Sequence, residues 1–484
     1  MVRRSFTLTL MLSLLLAASP APAQVRRAPR TARSTASSSP AILERNIRAE
    51  LSFLASDAMQ GRGSGTNYER VAAEYIGSQF RQFGLEAAGD ADATGNKSFV
   101  QRVPLESVKF TEPPLFSVTS RTDTLTWQYG RDFVVSSVRA PQVSGELQVI
   151  EPSATPAKGS IAVVKLGDSA DQQQRQDMIR KARAAQAAGV VMLETDANKK
   201  TRESGDAKLP SLASRIAGDA GTDSQFVAIS LKKDALDTLT ALPAGATAEF
   251  RGATQADASA TWNAVGVLRG SDPSGEAIML SAHLDHLGVN ESLNGDKIFN
   301  GADDDASGCV AVMELARVLA AGPKPKRTIY FVCFGSEERG GYGSRYFTAH
   351  SPVPLEKIVT DLNFEMLGRP DAKVAPGKLW LTGYQRSTLG PELVRNGAAL
   401  VADPHPEQNF FQRSDNYSLA LRGVVAHTVS SFGLHTDYHR PSDEIGKIDF
   451  PFMTQAINSM VKPIQWLSNS RYRPAWLPGQ QPTR

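Results

Sequence analysis

Four apolar runs in this chain each end in residues that could bind a cation or move a proton. The first, Ile278-Met279-Leu280, reads as a buried strand that stops at His283-Leu284-Asp285. About twenty residues on, Asp303-Asp304-Asp305 lies between glycines and small residues. Three adjacent carboxylates repel one another and are costly to desolvate unless a cation compensates them. Carboxylate oxygens with a neutral imidazole suit Zn²⁺ or a similar divalent ion. Taken alone, this stretch also admits a solvated acidic loop beside a surface histidine. The second run, 328–334, ends at Gly335-Ser336-Glu337-Glu338. Neighbouring glutamates at a strand end point in different directions, so one can bind metal while the other faces the water. The third run, 358–364, ends at Glu365, and the fourth, 423–429, leads into Tyr438-His439-Arg440-Pro441-Ser442-Asp443. Strand C-termini are where open α/β sheets build their sites.

The elements that must position these residues follow from periodicity. Tyr68, Val71, Ala72, Tyr75, Ile76, Phe80 and Phe83 recur at helical spacing over 67–83, and Gly84 is a natural stop. Residues 99–110 read as a strand. Over 136–252 the character changes: strands at 161–164, 189–193 and 226–230 alternate with helices at 175–188 and 234–242, without a ligand cluster. Strands at 265–268, 278–281 and 379–381 then alternate with helices at 307–320, 389–400 and 450–467. Such alternation predicts an α/β sandwich.

Composition narrows the classes. The formal charge is +3, but residues 1–40 hold six arginines and no acid, so the remainder sums to about −3. That balance offers no basic excess for nucleic acid. Arg3-Arg4, the apolar stretch Phe6 to Ala18 and Ala21-Pro22-Ala23 form a signal-peptide pattern over 1–23. Residues 24–40 read as a disordered leader, and 476–484 as a tail. No later apolar run is long enough to span a membrane. Cys309 and Cys333 are the only cysteines and are expected to be buried free thiols. A chain of 484 residues should hold more than one domain.

The motifs AHLDHLG, GADDDASG, GSEE, NFEMLGR and DYHRPSDE occur in that order. Together they resemble the co-catalytic dinuclear-zinc aminopeptidase family of clan MH, over about residues 51–467. The resemblance implies a three-layer α/β/α sandwich with a mixed, mostly parallel sheet over 41–135 and 253–475. It also implies an inserted protease-associated domain at 136–252, read as a lid or spacer. Two zinc ions per chain are implied, with His283 and His439 each on one ion, Asp303 bridging, and Glu338 and Glu365 completing the spheres. Glu337 is then the general base acting on a metal-bridged water, and Tyr438 polarises the scissile carbonyl. Asp285 would orient His283 and Asp443 would orient His439, while Asp304 lies beside the metals. A cis peptide at Asp303–Asp304 is implied as well. His286 and His435 read as structural or substrate-facing. Many relatives carry Asp where Glu365 stands, which puts the spacing of that site in question.

The implied activity is an exported metallo-exopeptidase that removes N-terminal residues from peptide substrates. A carboxypeptidase or dipeptidase on the same site is the enzymatic alternative, with Arg339, Arg345, Arg369, Arg413 and Arg440 available to hold a carboxylate. A receptor-like binding protein that has lost its ligands is the non-enzymatic one. The oligomeric state is not legible in the sequence.

Overall fold

The strand Ala277–His283 is buried along its whole length. Successive side chains on a strand point to opposite faces, so a strand apolar on both must be covered on both. Ile278, Leu280 and Ala282 pack on one face with Ile47, Val310 and Met453. Those three come from the helices Glu44–Leu54, Gly308–Ala320 and Phe450–Asn469. Ala277 and Met279 pack on the other face with Phe347 and Leu419, from the helices Tyr342–Ala349 and Asn416–Ala420. The result is the expected α/β/α layering. The computed structural model that shows it describes residues 40–166, 172–205, 207–212, 214–218 and 225–483. The expected signal peptide, and the leader up to residue 39, lie outside the described residues.

The main sheet runs in the order Leu400–Ala402, Leu379–Leu381, Val425–Ser430, Ile358–Glu365, Ala277–His283, Thr328–Phe334, Thr254–Leu268, Val100–Phe110 and Arg215–Ile216, with Glu86–Ala87 beside Thr254–Leu268. The four strands from Val425–Ser430 to Thr328–Phe334 are mutually parallel. Elsewhere the pairing is antiparallel except at the edge pair Leu379–Leu381 and Leu400–Ala402. The sheet is therefore mixed, with its parallel run confined to the strands that carry the candidate residues. The helix Asn67–Gln82 begins where Thr66 accepts the backbone N–H of Glu69, and Gly84 beyond it has φ 81°.

A second sheet holds the inserted segment. Its order is Thr124–Gln128, Leu115–Thr119, Thr247–Arg251, Gln142–Ile150, Ile161–Val164, Gly189–Leu193, Val227–Leu231 and Phe133–Val138. It has its own cores, around Phe116, Phe133 and Phe250 and around Val164, Met178 and Phe226. Two of its strands precede residue 136 and a third straddles it, so the insert starts earlier than expected, after Phe110. Its exit is fixed by pairing, since Phe110 lies opposite Thr254 in the main sheet. The polar, alternating strands of 115–138 gave no local sign of which sheet they would join.

Two smaller expectations also resolve. Cys309 and Cys333 are buried and free. The segment expected to be a tail is anchored: Trp476 packs against Phe411 and His427, and its indole N–H donates to the Gly423 carbonyl at 3.2 Å. Among the described residues, no helix is long and apolar enough to cross a membrane.

Because Phe110 and Thr254 are ladder partners and the insert joins the main sheet only through the short edge strand Arg215–Ile216, residues 112–252 should be replaceable by a short Gly/Ser hairpin turn. The shortened chain is expected to keep its metal content by elemental analysis. Loss of all bound metal would show that the insert belongs to the body's folding unit.

Candidate metal centre

Parallel pairing sets the side chains at the strand ends together. His283 is opposite Phe334, so Glu337 and Glu338 follow one turn beyond the imidazole. Glu365 ends the strand on the other side of His283. Two donor groups result: His283, Asp304 and Glu365, and His286, Asp304 and Glu338, with the ligand atoms of each group within 4.8 Å of one another. His439 borders the second group, its Nε2 lying 3.2 Å from both Asp304 Oδ2 and Glu338 Oε2.

The carboxylate common to both groups is Asp304, not the expected Asp303. The turn at 302–307 sends the three aspartates in three directions. Asp303 Oδ1 accepts the Gly368 N–H at 2.7 Å, and its Oδ2 faces His435 Nε2 at 3.0 Å. Asp305 accepts backbone N–H groups of His283, Gly308 and Met366 at 3.1, 2.9 and 3.1 Å. Only Asp304 turns both oxygens into the site, with Oδ1 3.1 Å from His283 Nε2. The outer two are consumed by backbone donors, and the middle one is left for a cation. The cis peptide is Asp304–Asp305 rather than Asp303–Asp304. Gly301 opens this turn with φ 57°, and a Cβ there would meet the Asp304 carbonyl oxygen at 2.2 Å and the His286 ring at 2.6 Å.

Two orienting roles also change. His283 Nδ1 lies 3.2 Å from the Asp285 backbone carbonyl and 3.8 Å from its carboxylate. The Asp285 carboxylate instead accepts the Ser64 hydroxyl and the Glu337 N–H, the latter at 2.9 Å. It therefore fixes the Glu337 backbone as well as standing beside His283. Asp443 does not orient His439. It accepts the backbone N–H groups of Asp303 and Asp304 at 3.1–3.2 Å. His435 touches Asp303 and Arg369, away from both donor groups. His286, expected to be structural, is inside the centre, with Nδ1 2.8 Å from Glu338 Oε1.

Residues without motif character complete the support. The buried Arg62 guanidinium donates to the carbonyls of Leu54, Leu284, Asn300 and Gly301. It thus ties the His283 and Asp304 loops together. Glu69 accepts the Ser336 N–H at 2.9 Å and the Thr261 hydroxyl at 2.6 Å. Their sequence signal was the polar cluster in the loop 61–66 and one acid on an otherwise amphipathic helix.

The electrostatics follow from burial. Burial, then the charges of Asp415 and Glu365, raise the Glu337 carboxyl well above the usual range against the opposing pull of His283. Burial likewise lifts Glu365 to about 7. His439 goes the other way: burial opposes its charged form, but hydrogen bonds to Asp304 and Glu338 outweigh it and raise the imidazole to about 10. Protons on these imidazoles balance the carboxylates. Divalent ions would displace them, so metal binding releases protons.

The donor set fits such ions. His283 Nε2 is buried and faces the Asp304 carboxylate at 3.1 Å without the geometry of a hydrogen bond, which is costly unless something else engages it. Imidazole nitrogens and carboxylate oxygens around one shared carboxylate suit a pair of zinc-type ions. The longer side chain of Glu365 still reaches the first group.

Residues 263–462 match Peptidase family M28. Among curated relatives, aminopeptidase YwaD of Bacillus subtilis is 25% identical over 326 residues, covering 65% of this chain and 60% of that one. A probable zinc metalloprotease of Pyrenophora tritici-repentis is 35% identical over 106 residues, 22% of each chain. The chain thus spans less than two thirds of either relative's length. Its fold is similar to that of a solved aminopeptidase from Aneurinibacillus sp. strain AM-1, with a TM-score of 0.52 at 19% identity over 92% of this chain and 98% of that one.

The geometry of the three aspartates is directly testable. Asp304→Asn should reduce bound zinc from about two ions per chain to less than one, because both groups lose their shared ligand. Asp303→Asn should retain most of the metal and lower stability by ~1–3 kcal/mol through its unpaired buried donors. Elemental analysis with thermal unfolding separates the two; the opposite pattern would restore Asp303 as the bridge.

Proposed function

We propose that the chain is an exported zinc exopeptidase that releases N-terminal residues from peptides. The observation that carries this reading is the single carboxylate, Asp304, shared by two imidazole–carboxylate groups beside a buried glutamate that ligates neither. His283, Asp304 and Glu365 would hold one ion, and Asp304 and Glu338 the other with the His439 imidazole, whose Nε2 lies 3.2 Å from both; His286 stands in the same group through Nδ1. When bound, the ions would act as Lewis acids on the scissile carbonyl and make water a stronger acid.

The chain's own residues supply the rest. Glu337 takes a proton from water and returns it to the leaving amine. Its N–H is held by the Asp285 carboxylate at 2.9 Å, and its side chain lines an open cleft. The Tyr438 hydroxyl stays protonated, because burial and the charges of Asp304, Glu365 and Glu338 raise it above its ordinary value. It can therefore donate to a developing oxyanion. Beside Glu365, a narrow recess is lined by Met366, Trp380, Phe410, Phe432 and Tyr438, which suits an apolar side chain on the residue released.

Arg369 bears on direction. A carboxypeptidase needs a free cation near the site, but Arg369 donates to Asp437 at 2.8 Å and lies 3.6–3.7 Å from Asp303 and Asp443. It is occupied in holding the turn. The insert, in this reading, is a domain of the protease-associated type that forms a wall over the substrate path.

Glu337→Gln keeps shape and hydrogen bonding but cannot accept the proton. Turnover is expected to fall at least ~10²-fold, the lower end for general acid–base catalysis, with zinc content unchanged by elemental analysis. Unchanged turnover would remove Glu337 from the mechanism. Acetylating a peptide's N-terminus should abolish cleavage, and amidating its C-terminus should do little. Chromatography of the products decides, and the reverse pattern would move the enzyme to the carboxypeptidase side.

A further inference from the structure

Glu338 turns its two carboxylate oxygens to two different imidazoles. Oε2 lies 3.2 Å from His439 Nε2, which stands at the same distance from Asp304 Oδ2. Oε1 lies 2.8 Å from His286 Nδ1, which is 3.9 Å from Asp304 Oδ2. The His439 nitrogen thus faces both carboxylates of the second group. The His286 nitrogen is committed to one oxygen of one of them. Without a partner on Oε1, the flexible Glu338 side chain could offer an ion both oxygens or neither.

The His286 ring is itself fixed. The residue is 1% exposed, and its backbone N–H donates to the Arg62 carbonyl at 3.2 Å. The ring packs on the Gly301 backbone, where a Cβ would meet it at 2.6 Å, and stands edge to face with His439, their centroids 5.7 Å apart. Which nitrogen carries the hydrogen follows from the surroundings. Nε2 is buried with no hydrogen-bond partner among the described residues. A proton there would leave a donor buried and unpaired, while Nδ1 and Oε1 met as two acceptors. A proton on Nδ1 gives a charge-assisted bond to the carboxylate and leaves only a lone pair unmatched. The same fact argues against His286 as a ligand through Nδ1. A metal-bound imidazole donates its other N–H to a partner, and this Nε2 has none.

We propose that His286 is a positioning residue for the second ion: its Nδ1–H holds Oε1 of Glu338, so that Glu338 presents Oε2 alone to the metal. This inference rests on the reading of the site as a pair of ion sites. A carboxylate bound through one oxygen fills one coordination position, and catalytic sites keep a position open for water or substrate. Partners of this kind fix the orientation of a ligand and so set how tightly the metal is held.

The test is metal affinity, read without turnover. Zinc is titrated into the metal-free protein against a competing chelator, for the wild type, His286→Leu and His286→Asn. Leucine has similar bulk and no donor. The asparagine amide nitrogen falls close to the place of imidazole Nδ1. The wild type should take up about two ions. In His286→Leu the second ion should bind about 10–100-fold more weakly, and the first as in the wild type. His286→Asn should recover most of that loss, which a packing role alone would not predict. Circular dichroism checks that both variants fold. X-ray absorption of the zinc-loaded wild type needs no variant: the pair of ions should carry two imidazoles, those of His283 and His439.

Unchanged affinity in His286→Leu would overturn the inference and leave the two-ion site in place. Equal losses in the Leu and Asn variants would overturn the donor role. A third imidazole in the absorption spectrum would do the same by making His286 a ligand. A wild type that holds fewer than about two ions would sink the two-ion reading itself, and the inference with it.

Discussion

Negative charge packed at the ends of parallel strands is the constraint on which the rest of this structure depends. Asp285, Asp304, Glu337, Glu338 and Glu365 converge there, and most of that surface is withdrawn from water. Two like charges 4 Å apart repel by about 4 kcal/mol at an effective dielectric constant near 20. A few such pairs match the whole stability of a domain, about 5–15 kcal/mol. The cluster persists only with positive charge inside it, from protonated imidazoles or from bound ions. A shared carboxylate between two imidazole groups is what permits two ions to sit close together.

The surrounding carboxylates show how the chain limits that repulsion. Asp305 accepts three backbone N–H groups and Asp443 two from the loops of the centre, and Asp303 takes one from Gly368. These acids brace the loops and face away from the donor groups. Arg62 performs the complementary task, satisfying four carbonyls where two loops meet. Removing its charge would leave those acceptors buried without donors, a large cost for each group left unpaired. Acids and bases outside the donor groups therefore act on geometry.

How far this was readable from sequence depended on whether neighbours along the chain or neighbours in space decide. The apolar runs 278–280, 328–334 and 358–364 predicted the central strands because each is buried on both faces. The same runs put His283, Glu337, Glu338 and Glu365 at strand ends. Within Asp303-Asp304-Asp305 the choice was not legible: the residues are identical, and which carboxylates are already occupied is set largely by Gly368, Met366 and His435, more than sixty residues away. His286 was underrated for the same reason, since its partner Glu338 lies on another strand. The start of the insert was missed because strands at 115–138 look alike whichever sheet they enter. The expected orienting role of Asp443 failed because its own neighbour in sequence, the His439 loop, curves away from it towards Glu338.

The placement of the base shows why so much of the chain is committed to so small a site. Glu337 and Glu338 are adjacent, yet one must face the cleft and the other the donor group. Ser336, just before them, takes φ 54°, a conformation that costs a non-glycine residue about 1–3 kcal/mol. Its N–H is held by Glu69, from the helix Asn67–Gln82, at 2.9 Å. Gly335 lets that helix approach, because a Cβ there would stand 2.7 Å from Glu69 Oε1 and 2.3 Å from the Thr261 hydroxyl. The Glu337 N–H is in turn fixed by Asp285, itself held by Ser64. The segment 61–69 thus supplies the hydrogen bonds that offset a strained turn more than 260 residues later. The divergence of two neighbouring glutamates, one towards the donor group and one towards the cleft, is a property of that long-range contact and not of the GSEE motif by itself.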